Sequence, residues 1–235
     1  GKRQAKGTAI VNLLQLSADE KIATLIPIDG NDENEYLLLA TKKGIVKKTK
    51  REEFKNINKS GLIAIGLRDD DELIGVELTD GKQEVLLVTK EGMSIRFDEN
   101  DIRYMGRTAM GVKGITLSKE DFVVSMNLCS KGTDVLVVSK NGFGKRTNIE
   151  EYRSQIRAGK GIKTYNISEK TGTIVGADMV NEDDEIMIIN SDGVLIRIRV
   201  NEISLFGRVT SGVKLMKTND EVNVVSIAKI NIEEE

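Results

Sequence analysis

The sequence predicts an all-β fold, a propeller-like ring of tandem blades, on three observations. A unit of about 50 residues recurs along the chain, its apolar runs are short and rich in Val, Ile and Leu, and a glycine turn follows each leading run. Runs of four to five residues, such as LLLAT and VLVVS, are too short for helices and fit buried strands. Four such strands per unit, in tandem, make a ring of blades, because one blade cannot bury both of its faces and neighbours must stack.

The leading element of each unit is a hairpin. The segments 36–50, 84–98, 134–148 and 185–199 each run from apolar residues through a polar pair and a glycine into a second strand-like stretch. The glycines, Gly44, Gly92, Gly142 and Gly193, lie 48, 50 and 51 residues apart. Lys-Gly, Glu-Gly, Asn-Gly and Asp-Gly occupy the place of a tight turn, where glycine adopts positive φ without penalty. After the first three hairpins, 51–57, 99–105 and 148–154 read as turns or single helical turns between blades. A second glycine follows, Gly61, Gly111, Gly161 or Gly212, then a strand, then an acid-led turn and a further strand over 71–80, 120–129 and 220–229; at 171–180 the acid is absent. The same half-unit opens the chain, with Arg3 four residues before Gly7 and a second strand over 19–28. Five glycine-led strands, five second strands and four hairpins predict about five blade-like sheets. The chain then reads as cut inside its first repeat, with the missing hairpin before Gly1. The whole of 1–235 is expected to form one domain, in approximate units 1–50, 51–98, 99–148, 149–199 and a partial 200–235.

Composition limits the chemistry. With no histidine and one cysteine, zinc sites of the Cys/His kind and Ser-His or Cys-His nucleophiles are excluded. Cys129, in an apolar stretch, reads as a small core residue. No apolar run approaches the ~20 residues of a membrane span. The glycine loops 111–114 and 159–161 do not form a phosphate-binding loop, and the carboxylate clusters 69–72 and 182–185 read as solvated loops. The tail Glu233, Glu234 and Glu235 reads as solvated disorder. Net charge is −2, from 35 basic and 37 acidic residues, so the placement of charge matters more than its sum.

That placement follows the repeat. Four residues after the hairpin glycine a basic residue always stands: Lys48, Arg96, Arg146, Arg197. At nine residues comes an acid (Glu53, Asp101, Glu151, Glu202), at ten an apolar or aromatic residue (Phe54, Ile102, Tyr152, Ile203), and at fifteen a second basic residue (Lys59, Arg107, Arg157, Arg208). Two readings of the first basic set are open. Cations on edge strands block sheet-to-sheet aggregation. Alternatively, tandem repetition gathers them into a ring of charge that follows a phosphate backbone. On the second reading Lys48, Arg96, Arg146 and Arg197 form one ring. Arg3, Lys6, Lys59, Arg107, Arg157 and Arg208 form another beside the glycine loops, extended by Lys160 and by Lys113, Lys163 and Lys214. Such contacts position and bend DNA without reading its sequence.

The tandem pattern, Met105-Gly106-Arg107, the run Gly144, Lys145, Arg146, Thr147 and the pair Glu151-Tyr152 resemble the C-terminal domain of the bacterial DNA gyrase A subunit over essentially the whole chain. The resemblance implies a β-pinwheel, a propeller variant whose four-stranded blades exchange strands, truncated here before its first complete blade. It implies a non-catalytic DNA-wrapping role with duplex DNA as partner. The parent A-subunit dimer would join the gyrase B subunit in an A2B2 enzyme that uses ATP and Mg2+ elsewhere. A cytoplasmic, nucleoid-associated location and a monomeric isolated domain are expected, with no cofactor in this chain. The family's heptad Gln-Arg-Arg-Gly-Gly-Lys-Gly is matched at Gln155, Arg157, Gly159, Lys160 and Gly161 and departed from at Ile156 and Ala158. The C-terminal domain of the topoisomerase IV ParC subunit, which binds DNA without strong wrapping, and a protein-binding propeller are the alternatives.

Overall fold

In a computed structural model, residues 22–26, 35–56, 61–219 and 221–230 are described. The strands are β1 (Tyr36–Thr41), β2 (Ile45–Lys50), β3 (Leu73–Thr79), β4 (Glu84–Thr89), β5 (Met93–Asp98), β6 (Val112–Lys113), β7 (Val123–Leu128), β8 (Asp134–Ser139), β9 (Phe143–Asn148), β10 (Ile162–Lys163), β11 (Ile174–Val180), β12 (Glu185–Asn190), β13 (Leu195–Arg199), β14 (Val213–Lys214) and β15 (Val224–Ile230). Single 3-10 turns, Arg51–Phe54, Glu99–Asp101, Ile149–Glu151 and Val200–Glu202, follow the four hairpins, as the sequence pattern predicts. Among the described residues there is no α-helix, and hence no helix able to cross a membrane.

The strands form four antiparallel sheets, β3-β1-β2-β6, β7-β4-β5-β10, β11-β8-β9-β14 and β15-β12-β13. Each is built on one predicted hairpin, but its strands come from successive repeats. The residues of unit 99–148 supply β6 to the first sheet, β7 to the second and β8 and β9 to the third. The unit of sequence is therefore not the unit of sheet, and the blades exchange strands. The fifth sheet expected from the strand count would draw on residues 1–34, most of which lie outside the described residues, as do Arg3, Lys6, Lys59 and the acidic tail. The last sheet has its hairpin. What it lacks, among the described residues, is the two-residue strand that in the other sheets comes from the following repeat.

The apolar runs are continuous because most hairpins lie between two neighbours. Val85 and Leu87 of β4 join the core shared with the first sheet, around Leu38, Ile95, Phe97 and Ile102. Leu86 and Val88 of the same strand face the third sheet, with Val135, Val137, Tyr152 and Tyr165. Period-2 alternation thus divides one strand between two cores. On β12 only one face is enclosed: Ile186 and Ile188 are fully buried, while Met187 and Ile189 are half-exposed. Cys129 packs half-buried at the edge of the second core, and burial pushes its thiol up to about 12.

The first ring of cations is internal. The Lys48 ammonium donates to the Glu99 carbonyl at 3.0 Å and pairs with the Glu99 carboxylate at 3.6 Å, both residues being buried. Arg96 pairs with Glu84 and donates to the Ile149 and Tyr152 carbonyls, both at 3.1 Å. Arg146 donates to the Ile203 carbonyl at 2.7 Å and to Asp134 and Glu182 at 2.9 Å each. In every case the acceptor carbonyls lie in or beside the 3-10 turn of the next unit. The expectation that Lys48, Arg96 and Arg146 form a surface ring is thereby corrected: they are inter-sheet ties, spent on the carbonyls of a neighbouring turn. Neither edge protection nor a phosphate rim accounts for them. Arg197, with no described unit to tie, stays 57% exposed and pairs with Glu185.

The acid-led turns are also less solvated than expected. Asp71 is buried, accepting from the Thr41 hydroxyl at 2.7 Å and the Lys43 amide at 2.9 Å, and Asp121 accepts from the Glu91 amide at 3.0 Å. Both carboxylates close the turn of the hairpin in their own sheet. Among the described residues no group of three or more potential metal ligands is gathered.

Two more lysines are wholly buried. Lys47 donates to the Ala64 carbonyl at 2.7 Å and to the Arg107 carbonyl, and Lys145 donates to the Gly207 carbonyl at 2.6 Å and the Arg208 carbonyl at 2.5 Å. Desolvation lowers each ammonium to about 8, against opposing attraction from Glu53 and Glu151 respectively.

These contacts set measurable stabilities. Arg146→Met should cost about 3–5 kcal/mol in denaturant unfolding, because it strands buried Asp134 without its partner. The same change at exposed Arg197 should cost less than about 1 kcal/mol. Because the folded values of Lys47 and Lys145 lie below those of exposed lysines, the unfolded chain binds more protons between about pH 8 and 10.5. Wild type should therefore gain stability relative to Lys47→Met as pH rises through that window, in parallel denaturation curves. Finally, an alanine side chain at Gly161 would collide with the Ser94 carbonyl, at φ +75°, whereas at Gly193 (φ +78°) it would meet nothing. Gly161→Ala should lower the melting temperature substantially by expelling β10, and Gly193→Ala should cost only the left-handed strain of roughly 1–2 kcal/mol.

Candidate nucleic-acid interface

The second set of cations survives on the surface, and its spacing comes from strand exchange. In three units the chain leaves the 3-10 turn, forms a rim loop and then enters the neighbouring sheet as a two-residue strand. The loop is clamped at its start by the residue that carries the internal tie: Met105, Gln155 and Phe206 donate their amides to the carbonyls of Lys48, Arg96 and Arg146 at 2.9, 2.8 and 2.9 Å. It is closed at its end by Gly111, Gly161 or Gly212, all at positive φ and each close to a strand carbonyl of the receiving sheet.

Between these clamps stand Arg107, Arg157 and Arg208, all half-buried. Each guanidinium reaches back to the preceding exchanged segment. Arg208 donates to the Lys163 carbonyl at 2.8 Å, Arg157 to the Lys113 carbonyl at 2.9 Å, and Arg107 to the Ile63 carbonyl at 3.3 Å. The acceptor is always two residues past the closing glycine. The acids nine residues after the hairpin glycine serve the same loop: Asp101 accepts from the Arg157 amide at 3.4 Å and Glu151 from the Arg208 amide at 3.1 Å. The arginines are thus rungs between neighbouring exchanged strands, their charge partly spent on carbonyls and partly open to solvent.

The lysines on those strands are freer. Lys113, Lys163 and Lys214 are exposed, as is Lys160 within loop 155–161. Lys163 contacts Asn166 at 3.2 Å. Lys214 contacts the Asn141 carbonyl at 3.2 Å and lies 4.8 Å from the centre of the Phe143 ring. Exposed ammonium groups therefore recur at the exchanged strands, one sheet apart, beside half-exposed guanidiniums. Lys55, Arg103 and Arg153 are exposed as well, and the sequence analysis does not single them out. They share one register, eleven residues after the hairpin glycine, so the repeat itself carried the signal. Arg197 lies away from this ladder, on the outer strand of the last sheet.

Within the heptad-like segment, Gln155 is half-buried with its side-chain nitrogen unpartnered, and Ile156 is 82% exposed. Ala158 adopts φ +68° despite its side chain, held by a bond from its amide to the Gly114 carbonyl at 2.6 Å. Of the four tyrosines, Tyr152 is buried, and burial pushes its phenol up to about 12 against the opposing effect of its 2.6 Å bond with Thr164. It packs, in the place of Ile102 and Ile203.

Comparison with known proteins agrees with this arrangement. The family model described as DNA gyrase C-terminal domain, beta-propeller, matches residues 1–29, 35–80, 83–130, 133–181 and 184–231. The DNA gyrase A subunit of Halalkalibacterium halodurans is 59% identical over 233 residues, covering 99% of this chain and 28% of the relative. Its counterpart from Clostridium acetobutylicum is 53% identical over 229 residues, covering 97% and 28%, and that from Escherichia coli 43% identical over 228 residues, covering 97% and 26%. The chain thus spans about a quarter of the length of these relatives. Among solved structures, the C-terminal domain of DNA topoisomerase IV aligns with a TM-score of 0.88 at 30% identity, over 95% of this chain and 70% of that one. A DNA gyrase A C-terminal domain aligns with a TM-score of 0.86 at 28% identity, over 97% and 76%. On the family match, the identities and the strand-exchanged sheets, the chain belongs to the DNA gyrase C-terminal domain family of β-propellers.

Proposed function

We propose that this domain binds duplex DNA without sequence preference along the ladder of Lys113, Lys163 and Lys214 with Arg107, Arg157 and Arg208, and bends it around the rim. The observation that carries the reading is the threefold recurrence of an arginine rung onto the preceding exchanged segment, in two cases onto the carbonyl of an exposed lysine. A polyanion with regularly spaced phosphates meets such a ladder at every step, and counterion release supplies the affinity. The contacts are to backbone phosphate, so they position and bend the duplex and leave its sequence unread. The domain carries no chemistry of its own in this reading. It serves a gyrase A subunit that, with a B subunit, uses ATP and Mg2+ in other domains to introduce negative supercoils.

The internal ties narrow the binding surface to the rim loops and exchanged strands. Lys48 and Arg146 are too deeply paired to meet a phosphate. A second reading, DNA held without strong wrapping, is favoured by the equally close fit to the topoisomerase IV domain.

Filter binding across a salt series tests the proposal. Lys113→Ala, Lys163→Ala and Lys214→Ala should each lower the slope of log affinity against log salt by about 0.9. Lys131→Ala should leave it unchanged, since Lys131 pairs with Glu77 of β3, at the sheet edge opposite the exchanged strand β6. Equal, small effects at all four positions would exclude the ladder. Binding without a change in plasmid linking number would favour the second reading.

A further inference from the structure

Loop 155–161 departs from ordinary protein surface in three ways at once. Ile156 is 82% exposed, the most exposed of the large apolar side chains among the described residues. Its neighbour Gln155 buries a side-chain nitrogen without a hydrogen-bond partner. Ala158 is one of only two non-glycine residues at positive φ among the described residues. Each feature is unfavourable alone, and an unpaired buried amide donor and a left-handed alanine cost of order 1–3 kcal/mol each.

The loop is nevertheless firmly held on both sides of Ile156. Gln155 donates its amide to the Arg96 carbonyl, Arg157 donates to the carbonyls of Asp101 and Lys113 at 2.9 Å, and Thr116 donates to the carbonyls of Ala158 at 2.7 Å and Gly159 at 2.8 Å. An isoleucine exposed on a slack loop would fold back onto apolar surface; this one is fixed outward. The same loop carries exposed Lys160, is bonded to the backbone carbonyl of exposed Lys113, and runs on into β10 with exposed Lys163. The surface thus offers, at Ile156, a more exposed apolar point than Met110, Leu205 or Val209 of the other rim loops, on a loop that also carries cations and meets the Asp101 carboxylate. Duplex DNA is the partner that fits both: phosphates for the cations, and apolar base faces reached through the minor groove, where inserted aliphatic side chains unstack a step and kink the helix.

We propose that Ile156 is an apolar wedge that enters the minor groove of duplex DNA lying on the ladder and sets a bend there. The proposal rests on the DNA-binding reading above. It differs in kind from a phosphate contact, since the Ile156 side chain is apolar and carries no charge. The contribution of Ile156 itself is therefore to the bases and does not change with salt, while Arg157 and Lys160 of the same loop remain cationic.

The test uses the whole chain with 2-aminopurine-substituted duplexes, end-labelled duplexes for bend angle, and a salt series. Wild type should brighten 2-aminopurine at the bent step. Ile156→Ala should abolish the brightening, reduce the bend and weaken binding roughly tenfold while keeping the salt slope. Ile156→Leu should retain all three properties, and both variants should melt with wild type. Wild-type failure to bind duplex at low salt would overturn the DNA reading and the wedge together. Wild-type binding with an unaltered bend and fluorescence in Ile156→Ala would overturn the wedge alone, as would equal losses in the alanine and leucine variants.

Discussion

The structure depends on cations buried in one sheet and bonded to the carbonyls of the next. A carbonyl oxygen has two lone pairs to satisfy, and in a stack of sheets those of a 3-10 turn face a neighbour and not water. Lys48, Arg96 and Arg146 supply donors to them, at 2.7–3.1 Å. Bonds from a charged donor are worth about twice a neutral one. A lone buried charge would be prohibitive, so each cation is paired: Arg96 and Arg146 with Glu84 and Asp134 of their own hairpins, and Lys48 with Glu99 of the next turn. The register of the whole repeat follows, because the same residue also clamps the next rim loop through its backbone carbonyl.

Rim and interior are thereby one mechanical system. Each rim loop is fixed at both ends by one strand of the receiving sheet: β2 at Lys48 and Val46, β5 at Arg96 and Ser94, β9 at Arg146 and Gly144. The closing glycines permit the chain to pass within contact of a strand carbonyl. The arginine rungs then tie each exchanged strand to the next, so that neighbouring lysines keep a constant separation. Preorganisation of this kind limits the ordering entropy lost when a stiff duplex is bound. At the last sheet the system stops: β13 alternates exposed and half-buried residues, and Arg197 returns to solvent.

Much of this was legible in the sequence, for a physical reason. Period, hairpins, turns and the buried tenth position all derive from local chain geometry repeated four times, and repetition lets weak signals add. The routing of strands between sheets was not legible from periodicity. A two-residue strand such as Val112–Lys113 has too little pattern to name its partner, and only the resemblance suggested exchange. The cations divided likewise. Lys48 and Lys113 are both basic at fixed offsets, and nothing in a string of letters separates a lysine buried against a carbonyl from one in water. The acids divide in the same way, with Asp71 buried and Asp101 exposed in similar-looking turns. What distinguishes them is whether the next sheet lies over that position.

The break in the repeat at one interior position ties these threads together. Three residues after the hairpin glycine stand Lys47, Ile95 and Lys145 in the first three sheets. The two lysines reach under the following rim loop and hold its arginine carbonyl from inside. Ile95 has no donor to offer; its methyl group instead lies against Gly159, 3.6 Å from where a side chain there would begin. Loop 155–161 keeps the outside bonds that the other rim loops also have, Arg157 on the Lys113 carbonyl and the Thr116 amide on Gly159, and adds the Thr116 hydroxyl on Ala158, with no lysine beneath it. In this loop, and not in the other two, a non-glycine residue, Ala158, takes positive φ, and Ile156 is exposed. An apolar substitution in the interior thus coincides with an apolar point on the surface, in the middle of the three described rim loops. On the proposed DNA-binding reading, three identical charged loops would bend a duplex smoothly, and a distinct central loop would localise the bend.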